Sequence, residues 1–218
     1  FTKKGMTAAL HYCGKNHTVV AANALGRTQL YAPAMALALA TTLHLSVAEA
    51  LTGLKKYVPP PGRARILEGK HGSTLIDDSY NASPAAVEEI LGALTLVPGS
   101  RRIVAIGDML ELGRYSMQEH ERIGALVAAH ADMIVTVGHR SEALRAAAIR
   151  AGIEESHALG FATAQEAGHA LQELVTEGDV VLVKGSQSMR MEKVVEVLLK
   201  NPADSHLLVR QDREWKRR

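Results

Sequence analysis

Asp77, Asp78, Tyr80 and Asn81 crowd into five residues of the segment LIDDSYNASP at 75–84, between an apolar run and a helix start. Ser83 is a preferred N-cap residue and Pro84 suits the first helical position. Val87, Ile90, Leu91 and Leu94 then recur at helical spacing. A helix start leaves unsatisfied N–H groups and a partial positive charge, which favours an anion. The side chains just before it can hold a polar ligand, although Asp, Ser and Asn are also ordinary turn residues. Two more segments have the same build. IGDMLELG at 106–113 places Asp108 and Glu111 after an apolar run, and VKGSQSMRME at 183–192 does the same with Lys184, Ser186, Ser188 and Arg190.

Several chemistries lack their signatures. There is no G-x-x-x-x-G-K-[S/T] phosphate loop and no G-x-G-x-x-G dinucleotide fingerprint, since Gly107 and Gly113 are wrongly spaced for it. No Cys/His spacing points to zinc, and no G-x-S-x-G elbow presents a nucleophile. The ten histidines are scattered and read as surface or packing residues.

The elements that must position these segments alternate. A β-hairpin is expected at 6–12 and 18–24 with its turn at 14–17, then helices at 33–43 and from 46 to about 57, the second opened by a capping box at Ser46 and Glu49. Residues 59–61 are all proline, which favours extended backbone. A hinge with closure about residues 58–63 is expected there, and with it a boundary between a unit at 1–58 and a second at 64–200, followed by a tail at 201–218.

Beyond the hinge, strands are expected at 65–68, 73–77, 101–106, 133–137, 157–159 and 180–183. Helices are expected at 85–96, 117–130, 141–151, 163–176 and 189–199. This alternation implies an α/β, Rossmann-like domain with a mostly parallel sheet covered on both faces. Ligands of such sheets bind beyond the carboxyl ends of the strands, and all three polar segments fall there. The tail at 201–218 is expected to pack through Leu207, Leu208, Val209 and Trp215 as a short amphipathic piece, with Lys216 to Arg218 as a solvated end.

Of the 218 residues, 47% are apolar and 22% charged, enough for a real core. Aromatic residues make up only 4%, so Ala, Leu, Val and Ile must fill it. A net charge of +2 gives no reason to expect a nucleic-acid partner. No apolar run of membrane-spanning length or signal-peptide pattern appears. The lone Cys13 has no partner for a disulfide within the chain, in keeping with a reducing cytoplasm. The chain opens at Phe1 in what reads as mid-domain sequence, so it is expected to be a fragment.

The three segments, in this order and with Gly62-Arg63 after the prolines, resemble the Mur ligases, the ATP-dependent enzymes that build the peptidoglycan stem peptide. The resemblance covers roughly residues 20–200 and is best to the branch that adds D-alanyl-D-alanine to UDP-N-acetylmuramoyl-tripeptide. It implies three domains, an acyl phosphate made with ATP, and attack by the acceptor amine. By it, this chain holds the tail of the central ATP-binding domain and the whole C-terminal domain. The P-loop and the ligands for Mg2+ would lie upstream.

The same resemblance implies a nucleotide-binding set of Arg63, Asp78, Tyr80, Asn81 and Gln29. Strand alternation points Asp77 and Asp78 opposite ways, and Asp78 is taken as the one facing the ligand. It implies an acceptor-binding set of Asp108, Lys184, Ser186, Ser188 and Arg190, with Lys184 and Arg190 suited to the dipeptide carboxylate. No residue of this chain is expected to be catalytic or to ligate a metal, and the protein is expected to be monomeric. In GRTQLYA at 26–32 the sequence departs from the His-Asn that many relatives carry at 28–29, leaving Gln29 to replace the amide. Competing readings are a relative with another acceptor, such as a diamino acid, a non-catalytic Rossmann-like module and, more distantly, a dehydrogenase. Asn81 favours the dipeptide branch, because relatives that add diaminopimelate usually carry Asp-x-x-His in that loop.

Overall fold

The computed structural model describes residues 2, 5–12 and 14–217; Phe1, Lys3, Lys4, Cys13 and Arg218, and with them the cysteine expectation and the end of the basic tail, lie outside the described residues. Strands β1 (Gly5–Tyr12) and β2 (Lys15–Ala22) form the hairpin. Tyr12 pairs with Lys15, so Lys15 to His17 belong to the strand rather than to the turn. Gly14, just before β2, has a positive φ of 71° that glycine adopts without strain. Helices α1 (Tyr31–Thr42) and α2 (Val47–Leu54) follow, and the Ser46 side chain caps α2 by accepting from the Glu49 N–H. In α1, Pro33, Leu37 and Ala40 are buried. Tyr31, Met35, Leu39 and Leu43, one turn apart, stand 60–72% exposed as an uncovered apolar face.

The main body is a six-stranded sheet in the order β3-β4-β8-β5-β6-β7. Its strands are β3 (Arg65–Glu68), β4 (Thr74–Asp78), β5 (Arg102–Gly107), β6 (Met133–Val137), β7 (Ala158–Phe161) and β8 (Val180–Lys184). Only β3 runs antiparallel to its neighbour. The crossover helices are α3 (Pro84–Leu94), α4 (Ser116–Ala128), α5 (Ser141–Arg150) and α6 (Ala164–Leu174), and α7 (Glu192–Leu198) follows β8. Strand alternation splits the interior in two. Ile76, Val104, Ile106 and Leu182 pack with α3, α4 and α5, whereas Leu75, Ile103, Val181 and Val183 pack with α6 and α7. Both faces are therefore dry, which explains why the strands read as nearly unbroken apolar runs.

Three local expectations change. Ser83 has the extended backbone of an N-cap, but its side chain makes no capping bond, and Pro84 opens α3. The segment before α7 is a tight 3₁₀ turn at Gln187–Met189, after which Arg190 takes a left-handed conformation (φ 55°). Helix α7 thus begins at Glu192, not at 189, and Arg190 stands outside it.

The third change concerns the expected boundary. Leu25 donates its N–H to the Ala64 carbonyl, and Ile66 donates to that of Asn23. Residues 23–25 thus pair beside β3, and Leu25 enters the core of the second unit. Burying that one side chain is worth roughly 1.5–3 kcal/mol. Gly62 is also built in rather than free to turn. It has φ 67°, its N–H donates to Asp77, and its carbonyl accepts from the Tyr80 N–H. The tail forms a 3₁₀ turn (Pro202–Leu207) and a short helix α8 (Arg213–Lys216), with Leu208 and Val209 buried.

Candidate functional site

Strands β4, β8 and β5 are neighbours, and their parallel register sets Asp78 beside Lys184 and Lys184 beside Ile106. The three polar segments therefore leave the sheet at one edge. After β4 the chain runs through α3 on one face, whereas β8 runs on into α7 on the other. A crevice opens where the two diverge.

The adjacent aspartates part as strand alternation requires. Asp77 is fully buried. It accepts from the Gly62 N–H (3.1 Å), the Ser79 N–H (3.2 Å) and the Ser79 hydroxyl (2.5 Å). Burial pushes its carboxyl up to about 6, against the pull of the Ser79 and Gly62 hydrogen bonds. Asp78 points to the α3 side. Its Oδ1 accepts from the Ala64 N–H at 3.0 Å, and its Oδ2 accepts from Lys184 Nζ at 2.5 Å. Burial raises the Asp78 carboxyl too, opposed mainly by the Lys184 charge. Lys184 is itself buried and also donates to the Asn81 carbonyl at 3.0 Å.

Two cavities flank this loop. The first, about 240 Å³, is lined by Gln29, Arg63, Asp78, Asn81, Ser83 and Lys184, among others. Gln29 is fixed at both ends: Nε2 donates to the Arg63 carbonyl (2.9 Å) and Oε1 accepts from the Tyr57 hydroxyl (2.8 Å). The Arg63 guanidinium lies 4.1 Å over the Tyr80 ring. Tyr80 opens onto a neighbouring groove rather than into this cavity. A guanidinium, an ammonium paired with a carboxylate, and amides suit phosphate and hydroxyl groups.

The second cavity, about 500 Å³, is lined by Asn81, Leu110, Glu111, Ser186–Ser188, Arg190 and Trp215. Asn81 borders both cavities. Ser186 does two jobs, since its Oγ also accepts from the Leu110 N–H at 2.8 Å. His120, fully buried, holds the same loop by accepting from the Met109 N–H (3.0 Å) and donating to the Ser116 carbonyl (2.7 Å).

Two residues expected on the acceptor side are placed elsewhere. Lys184 lies in the first cavity, because strand register pairs it with Asp78. Asp108 lines neither cavity: its Oδ1 accepts from the Ser141 N–H (2.8 Å), capping α5, and its Oδ2 is 3.7 Å from Arg140. The acid of that loop that does face the cavity is Glu111. Among the described residues no group of three or more His, Cys, Asp or Glu could hold a metal ion.

Sequence reasoning overlooked a buried network behind Arg190. Arg190 Nε donates to Glu192 (2.6 Å) and its Nη1 to the Trp215 carbonyl (3.1 Å). Arg210, from the tail, donates to Glu192 from Nε (3.1 Å) and to the Ser79 carbonyl from Nη2 (2.7 Å). The only advance signal was an arginine directly after the apolar run at 207–209. Glu192, in the first turn of α7, has the local context of an ordinary helix-start acid.

The family model described as "Mur ligase, glutamate ligase domain" matches residues 62–187. The chain is 35% identical over 169 residues to UDP-N-acetylmuramoyl-tripeptide–D-alanyl-D-alanine ligase of Escherichia coli K12, covering 74% of this chain and 36% of that protein. It is 24% identical over 180 residues to the Bacillus subtilis protein of the same name, covering 82% of this chain and 39% of the relative. Among solved structures, the MurF ligase of Thermotoga maritima in complex with ADP matches with a TM-score of 0.75 at 27% identity, over 89% of this chain and 43% of that one. The chain thus spans well under half the length of the relatives it matches.

Proposed function

The chain belongs to the Mur ligase family, and from that premise we propose that it forms the acceptor-binding part of a ligase that joins D-alanyl-D-alanine to UDP-N-acetylmuramoyl-tripeptide. The observation that carries the reading is the pair of cavities meeting at Asn81, one with Arg63, Asp78 and Lys184, the other with Ser186, Ser188 and Arg190. The names of the relatives, and the ADP complex of the Thermotoga ligase, supply the substrates.

In this proposal the first cavity takes the nucleotide of ATP. Arg63 meets phosphate or ribose oxygens, and Asp78, with Lys184 and Asn81, meets hydroxyls. Tyr80 offers its ring to the base from the neighbouring groove once Arg63 turns away. Lys184 acts through Asp78, holding the carboxylate in place, rather than on the acceptor. The second cavity takes the dipeptide. Arg190 meets its carboxylate, and Ser186, Ser188 and Glu111 surround the amine end. The side chains of this chain bind and orient. Acyl phosphate formation, the P-loop and the Mg2+ ligands are assigned to the part of the parent outside this chain, and the uncovered face of α1 to contact with that part. Bringing the amine to the acyl phosphate by closure before Gly62 would supply up to roughly 7–11 kcal/mol of the barrier through positioning. The reading places the protein in the cytoplasm as a monomer.

The test is turnover of the parent extended upstream of Phe1, with ATP, Mg2+ and the UDP-muramoyl tripeptide. Phosphate release that depends on D-alanyl-D-alanine is expected. Release driven only by a free amino acid would move the protein to another branch, and none with any acceptor from a folded parent would favour a binding module.

A further inference from the structure

The second cavity is closed on one side by a residue that lies beyond the family-model match at 62–187 and far from the motifs: Trp215. The tail is anchored by Leu208 and Val209 in the interior, and Arg210 then turns inward in a left-handed conformation (φ 59°). Burying a guanidinium is costly unless it is paired and hydrogen-bonded. Arg210 is both, through Glu192 and the carbonyls of Ser79 and Tyr80. It therefore fastens the tail to the loop that carries Tyr80 and Asn81.

Trp215 is delivered to the cavity rim by separate restraints. Its N–H donates to Asp212 (3.0 Å) and its carbonyl accepts from Arg190. Its ring lies 5.2 Å from the Arg190 guanidinium carbon and 5.8 Å from that of Arg210. Arg190 is held at Nε and Nη1, and its Nη2 has no hydrogen-bond partner among the described residues. A carboxylate bound at Nη2 would thus lie beside the indole.

We infer that the tail is a working part of the acceptor cavity, with Trp215 as the wall that limits acceptor size and Arg210 as the positioning residue that ties that wall to the loop at 79–81. This rests on the acceptor reading above. A rigid indole held at that rim sets a fixed boundary beside the side chain nearest the bound carboxylate.

The test uses the 218-residue chain, in which Trp215 is the only tryptophan and so reports by its own fluorescence. Saturable emission change is expected with D-alanyl-D-alanine and a weaker response with D-alanyl-D-leucine. Measured by calorimetry, Trp215→Ala is expected to shift the preference toward D-alanyl-D-leucine by on the order of tenfold or more. A binding-competent Trp215→Ala chain with unchanged preference overturns the size limit alone, whereas no binding of either dipeptide to the wild type overturns the size limit and the acceptor reading together. Arg210→Met is read without ligand. It is expected to shift Trp215 emission and to speed amide exchange at Tyr80, whose N–H donates to the Gly62 carbonyl, in a chain that keeps its sheet protection. Arg210→Lys is expected to restore part of both. Unchanged emission and exchange in Arg210→Met overturn the positioning role.

Discussion

Lys184 Nζ lies 2.5 Å from Asp78 Oδ2, and the two residues are register partners on adjacent parallel strands. The pair stands at the mouth of the crevice, half a turn of side-chain alternation away from Asp77. Removing the ammonium leaves a largely buried carboxylate without its main counter-charge. Lys184→Met is therefore expected to destabilise the chain by about 3 kcal/mol. Lys184→Met combined with Asp78→Asn should recover most of that loss, because no unpaired charge remains and the Ala64 N–H keeps an acceptor. Urea unfolding of the three chains checks this; a single variant as stable as wild type would show that the pair does not hold the loop.

Asp77 has a pH signature of unusual sign. Its folded carboxyl is raised from 3.8 to about 6, chiefly by burial. Between these values the native state keeps a proton that the unfolded chain has lost. The group's contribution is fully present below about pH 4 and is lost as pH rises to about 6, a change of roughly 3 kcal/mol. Asp77→Asn keeps an acceptor for the Gly62 N–H and should abolish that slope. Denaturation midpoints from pH 4 to 7 compare the two; parallel profiles would dismiss the linkage.

Gly62 has no room for a side chain. A Cβ there would lie 2.9 Å from both the Tyr80 nitrogen and Val209 Cγ1, at a φ of 67° that L residues rarely adopt. Gly62→Ala is expected to cost about 1–3 kcal/mol through backbone strain alone. Gly62→Pro should cost more, since it also removes the N–H that Asp77 holds. Thermal unfolding measures both. If Gly62→Pro were as stable as wild type and only slowed turnover of the parent, Gly62 would be a pivot after all.

Ser186 and His120 hold adjacent residues of the same short loop, at Leu110 and Met109. Ser186→Ala leaves the Leu110 N–H unpaired, at a cost of about 1–3 kcal/mol. Amide exchange at Leu110 should rise while the strands β5 and β6 stay protected. Unchanged exchange would mean that the loop is held from elsewhere.

The uncovered face of α1 should bind a hydrophobic dye in this chain. Met35→Lys with Leu39→Lys is expected to remove most of that fluorescence without loss of helical circular dichroism. Equal dye binding would place the apolar patch elsewhere.

Periodicity alone determined much of this protein. Apolar runs buried on both faces and helical spacing between them define an α/β sheet, because burial on a strand and on a helix imposes different repeats. The same pattern placed Asp78, Asp108 and Lys184 just at or past strand ends, and alternation separated Asp77 from Asp78. The short, local turn chemistry at Ser46 and Pro84 was also legible. What lay beyond reach was every choice made by residues distant in the chain. Lys184 pairs with Asp78 only because β8 inserts between β4 and β5, and no local signal encodes that order. Asp108 became a cap for α5 because β5 and β6 are adjacent. Gly62 became fixed because the ends of β4 and of the tail converge on it. Arg210, Glu192 and Trp215 form one network across residues 192–215, each with an ordinary local context. Local sequence sets which conformations are cheap; tertiary packing decides which buried charges meet.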